Sequence, residues 1–341
     1  MGILDWFMNR PAQFDSDKVS EAMLKQATEK AITLANPRLN VLPSCHARLA
    51  PAVGTTIRYL RAMVDGLPGA KPLSSGIWSS DPGLRAFFAA PADIPTALGR
   101  SDNLRTLFEK FPFLDEACVV LGMAYNEQHG FGIALHGEML RRDVVQKSVS
   151  FSDHRAHLCG QDEQELRRLI GVQSFEYLLA QALSEIGEDR VERQELEGNR
   201  SLIRARLRLL RRHGPGLGSM FGEAPGDRSE QAELQVKLLE NERQLEAVGD
   251  SQAALEMELA CLQEVLEHPE RYLRVQQKQL RLNTMNVVLD EEGADRAAEV
   301  NFSLAELTGA RPVRRAFVLA RVARSGMPTQ TINFDAAARF L

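Results

Sequence analysis

"LQVKLLENERQLEAVGDSQAALEMELACLQEVL", Leu234 to Leu266, is the stretch on which the fold turns. Positions 234, 238, 241, 245, 248, 252, 255, 259, 262 and 266 alternate steps of four and three, and read Leu, Leu, Asn, Leu, Val, Gln, Leu, Leu, Leu, Leu. A seam repeating every 3.5 residues holds one side of a helix against a partner helix for several heptads, the pattern of a coiled coil. His268-Pro269 stops the helix, because proline lacks the amide that would continue it.

The partner lies upstream, in a helix predicted from Ser174 to about His213. One of its rows of sevens reads Ala182, Asp189, Leu196, Ile203 and Leu210, and the other Leu179, Ile186, Arg193, Arg200 and Leu207. Folding the two helices back about a loop centred near residue 221 pairs position i with about 442 minus i, twice the loop centre. Gln252 then faces Asp189 and Arg193, and Asn241 faces Arg200, so the polar interruptions coincide. Glu267 falls opposite Phe175, where the helices independently end and begin. The spacing predicts an antiparallel coiled-coil hairpin within residues 161–269, with a tip loop at 214–228. Its arms would be roughly 55–60 Å long at 1.5 Å per residue.

Strand-like sequence flanks the hairpin on both sides. "ACVVLGMAYNEQHGFGIALHGEMLRRDVVQKSVSF", Ala117 to Phe151, is rich in Val, Ile, Tyr and Phe. Turn formers at Asn126 to Gly130 and Arg141 to Asp143 divide it into three strands of a meander. After Pro269, "YLRVQQKQLRLNTMNVVLD", "EVNFSLAEL" and "VRRAFVLARVAR" supply three more. The expectation is an α+β chain: a helical N-terminal region at 1–113, a β-meander at 114–160, the hairpin, and a β-rich segment at 270–341 ending in a short helix. The two strand sets form one antiparallel sheet or small barrel interrupted by the hairpin, or stand as two separate sheets. In the helical region, Ser16 or Asp17 caps a first helix that stops before Pro37, and a second runs from Pro51 to Asp65. Short helices follow from Asn103 to Phe111 and from Asp162 to Ile170, the latter ending at Gly171.

At 341 residues, 44% hydrophobic and a formal net charge of -5, the chain can bury a core and has no overall field that draws it onto nucleic acid or an anionic membrane. The four cysteines, Cys45, Cys118, Cys159 and Cys261, are far apart and form no C-x-x-C pair, which fits reduced thiols in a cytoplasm. The opening residues lack a basic region and a cleavage site, so they do not read as a signal peptide. Docking of residues 3–8 on the protein's own core is preferred to membrane contact. No apolar run approaches the roughly 18 residues of a membrane span.

Four places compete as functional sites. The glycine-rich loop between the helical arms follows a helix instead of a strand and contains no lysine, so neither the dinucleotide fingerprint nor the P-loop fits. Its Leu217, Met220 and Phe221 suit a protein partner. Arg204, Arg208, Arg211 and Arg212, within the run 200–212, could grip phosphates, yet the hairpin register sets Glu230, Glu233, Glu240 and Glu242 alongside them. A second arginine run, 311–324, includes Arg315 and Arg321 on one face of a strand. Asp153, His154, His157 and Cys159 are metal-ligand types within seven residues, but a strand would turn His154 and His157 to opposite faces. The sequence therefore reads as a non-enzymatic cytoplasmic interaction or scaffold protein with no cofactor, binding a protein partner or itself through the coiled coil. A nucleic-acid-associated protein using both arginine runs is the alternative, and a metal-dependent enzyme around His154 and His157 a further one.

Overall fold

The computed structural model describes residues 20–136, 139–188, 202–208, 232–240, 252–289, 297–309 and 312–328. Strand β2 (Glu116–His136) pairs antiparallel with β6 (Val313–Ala323) from Glu116 opposite Ala323 to Ala124 opposite Arg315. That ladder joins the strands before residue 161 to those after residue 269, and two separate sheets are excluded. The sheet order is β3 (Met139–Gly160), β2, β6, β5 (Ala298–Leu307), β4 (Leu273–Leu282). All these pairings are antiparallel. The two-residue β1 (Lys71–Pro72) runs parallel to β6 at Ala320 and Arg321, past Phe317 where β5 leaves it. The sheet is open, not the barrel allowed by the sequence, although Val287 and Val288 form single bridges to Ser148 of β3 and Leu282 of β4.

Strand alternation sends side chains to two cores. Cys118, Val120, Ala305, Leu307, Phe317 and Leu319 face a helical layer made of α1 (Glu21–Ala35), α2 (Cys45–Asp65), α6 (Glu163–Glu188) and α9 (Gln252–Glu267). Their neighbours Val119, Leu121, Val300, Phe302, Ala316 and Ala320 face the short helices α3 (Pro82–Phe87), α4 (Asp93–Gly99) and α5 (Asp102–Lys110). Helices thus cover both faces. Two further helical pieces are described, α7 (residues 202–208) and α8 (232–240). Among the described residues, no helix is long and apolar enough to cross a membrane.

Several predicted boundaries move, each for a local reason. The first helix is capped by Ser20, whose hydroxyl accepts from the Met23 amide; Ser16 and Asp17, expected in that role, lie outside the described residues. The second begins at Cys45, not Pro51; proline is accepted inside it at the loss of one backbone hydrogen bond. The helix predicted to end at Gly171 continues to Glu188, because residues 171–179 are all buried and tertiary packing outweighs the glycine. Asn126 to Gly130 makes no turn. Instead of a three-stranded meander, β2 and β3 form one long antiparallel ribbon. The fourth expected strand, Tyr272 to Asp290, stops as β4 at Leu282, where Asn283 takes amide bonds from Met285 and Val287 and turns the chain.

Candidate functional site

The residues singled out in "SFSDHRAHLCG" sit on β3, which is an edge of the sheet. Its register against β2 slips three times, between Val119 and Leu121, Gly122 and Ala124, and Gly132 and Ala134, and each slip inserts one extra residue in β3. A bulge rotates the side chains beyond it. Asp153 and Asp143 lie in two of these bulges with φ of 49° and 61°, left-handed values that a short polar residue tolerates. His154 and His157 therefore do not follow simple alternation.

Each residue of the set has its own surroundings. Asp153 accepts from Arg155 Nε and Arg315, both at 2.9 Å. His154 stacks on Phe88 with centroids 4.3 Å apart and planes inclined by 24°. Burial holds its pKa below the usual imidazole value, opposed by a hydrogen bond to the Phe87 backbone. His157 lines a separate cavity of about 250 Å³ with Asn103, Thr106, Lys110 and Cys159, and burial lowers its pKa as well. The Nε2 atoms of both histidines are buried without a hydrogen-bond partner among the described residues. The Cys159 thiol is pushed up to about 12 by burial, opposed by a hydrogen bond with Ser101, which keeps it protonated and a poor metal ligand at neutral pH. The four ligand types are adjacent in sequence but do not converge. Among the described residues, the one group of three such side chains within reach of a common ion is Glu264, Glu267 and His268, where Arg271 already pairs with Glu264 at 2.7 Å.

In the second arginine run Arg311 lies outside the described residues, and the other four arginines are engaged within the fold. Arg314 pairs with Glu306 at 3.2 Å, Arg315 with Asp153, and Arg321 with Glu116 at 4.0 Å. Arg324 donates to the carbonyls of Phe108, Phe111 and Leu114, at the end of α5 where backbone acceptors lack helical partners. It closes that helix against β6. In the first run, Arg204 and Arg208 lie on α7, whereas Arg211, Arg212, Leu217, Met220 and Phe221 fall outside the described residues.

Two features escaped the sequence reading. A cleft of about 530 Å³ opens between α3 and the turn after β4, floored by Phe87, Phe151 and Val300 and rimmed by Trp78, Arg85 and Met285. The sequence carried no signal that the core would be open at this end. The other is the outer side of α8, a helix whose inner stripe, Leu234 and Leu238, belongs to the expected seam. α8 buries Leu234 against Leu207 of α7, with Ile203 and Leu238 packed beside them. On its far side Val236 and Leu239 are 62% and 70% exposed. At 100° per residue these two stand opposite the Leu234–Leu238 stripe, so α8 is apolar on two sides. Compared with models of known protein families, with curated protein sequences and with solved structures, the chain matches none of them.

Proposed function

We propose that the chain is a non-enzymatic interaction protein, and that α7 and α8 belong to an antiparallel coiled-coil arm that docks a helix of a partner protein. The observation that carries this reading is the exposed pair Val236 and Leu239, on the side of α8 turned away from its packed stripe. A helix apolar on two sides has room for two neighbours, and α7 supplies one. Support for the hairpin comes from the packed residues themselves: 207 and 234 sum to 441, as do 203 and 238, one less than the heptad register requires. The same reading assigns Leu217, Met220 and Phe221 to the partner surface. All four cysteines are free thiols, which favours a cytoplasmic protein.

Val236→Lys combined with Leu239→Glu tests the proposal, since both side chains are exposed and their replacement leaves the buried stripe intact. Tagged protein is cross-linked in its native cell and the cross-links are mapped by mass spectrometry. The expected result is a partner cross-linked near α8 in the natural protein and lost in the double variant, with an unchanged melting curve. The same partners and the same cross-links in both would overturn it.

A further inference from the structure

The outer side of β2 past Ala124 is a backbone edge for which the sheet provides no strand. β6 accompanies β2 only from Glu116 to Ala124, while β2 continues to His136 with β3 along its other side. Among the described residues, nothing pairs with the free side over residues 128–134. The other two edges are guarded. β3 is broken by three bulges, which a straight strand does not follow. β4 is regular, but a second copy laid antiparallel about its middle would oppose Arg274 to Arg281 of that copy, like charge on like.

The β2 edge has no such guard. Residues 128–134 read Gln-His-Gly-Phe-Gly-Ile-Ala, without proline, lysine, arginine or acid. At their midpoint Phe131 is 78% exposed, and Val145, its register partner on β3, is 66% exposed. We propose that this edge pairs antiparallel with the same edge of a second copy, about a two-fold axis at Phe131.

A two-fold contact must be complementary to itself, and this stretch is. Centring on Phe131 sets Gln128 against Ala134, His129 against Ile133, Gly130 against Gly132, and Phe131 against itself, with no like charges opposed. One cross-strand row then reads Val145, Phe131, Phe131 of the second copy, Val145 of the second copy. The two exposed apolar residues of each chain are covered by the same operation that satisfies the open backbone groups. A two-stranded ribbon is marginal alone, and pairing makes it four-stranded. This inference is independent of the helical arm.

The test uses the 341-residue chain carrying Val236→Lys and Leu239→Glu, which removes association through the arm. Sedimentation or light scattering should give twice the chain mass of 37.9 kDa. Adding Phe131→Lys, or separately Phe131→Glu, should halve the mass with unchanged melting. Mixing the two variants should restore the doubled mass, because residue 131 faces its own copy across the axis. A monomeric parent at tens of micromolar, single variants that stay dimeric, or a mixture that stays monomeric would each overturn the proposal. The partner cross-links to α8 remain a separate readout, so either reading can fail alone.

Discussion

His154 shows how one residue can carry a pH dependence without being catalytic. Its ring is stacked on Phe88 and buried, and burial disfavours the imidazolium, so its folded pKa lies below the ordinary 6.5. In the unfolded chain the group takes up a proton near that ordinary value. Just below pH 6.5 the unfolded state therefore binds more protons than the folded state, and stability falls as the pH falls. The contribution is fully present above about pH 6.5 and is lost progressively down to the lowered folded value. His157, lowered for the same reason, adds a loss of the same sign. His154→Phe keeps a ring on Phe88 and removes the proton. The expected outcome is a shallower decline of melting temperature between pH 7.5 and 5.5, with the share of His157 remaining. Parallel profiles for the natural protein and the variant would show that His154 does not titrate against folding.

At the scale of elements, most of the architecture was legible because it rests on periodicity. The three strands after Pro269, the stop before Pro37 and the end of α9 at Glu267 each coincide with a change of period or a proline. Contacts distant in sequence were not legible. Nothing in Asn126 to Gly130 told that a neighbouring strand would carry the chain straight through an apparent turn, and nothing around Gly171 told that the helix would be buried on all sides. Nor could spacing show that His154 and His157 lie in bulges, since each bulge shifts the alternation on which such a reading depends. Asp153, His154, and His157 with Cys159, metal-ligand types within seven residues of sequence, stand in three separate environments. One element junction is set by a glycine. A Cβ on Gly160, where β3 meets α6, would lie 2.8 Å from the Leu166 nitrogen and 3.2 Å from the Asp162 oxygen, both backbone atoms that cannot swing away. Gly160→Ala should destabilise the protein by about 1–3 kcal/mol, seen as a lower melting temperature. Gly326→Ala, where a Cβ meets nothing within 4 Å, is the matched control and should stay within about 0.5 kcal/mol. Equal melting of the two variants would mean that the β3–α6 junction yields.

Across the whole molecule, burial is divided very unequally. The sheet is packed on both faces, with Val119 to Leu121 of β2 and Ala316 of β6 in large clusters of buried side chains. Opening those strands uncovers both faces at once, which requires global unfolding. α7 buries Leu207 with α8, while Leu202 and Ala205 on another side belong to the main helical core. α8 buries Leu234 and part of Leu238, and most of its remaining side chains are exposed. With few buried apolar side chains among its described residues, it can open while the sheet stays closed. Hydrogen exchange should therefore rank the amides of residues 234–238 fastest, those of 203–207 slower, and those of 118–123 and 316–320 slowest. Low denaturant should accelerate the last group and leave the first almost unchanged, because local opening exposes little surface. A partner helix on Val236 and Leu239 would add a neighbour on the side of α8 turned away from α7, and its binding should slow exchange at 234–238 far more than in the sheet. Equal protection of α8 and β2 in the free protein would sink this ordering, and with it the view that the arm is the segment left open for a partner to close.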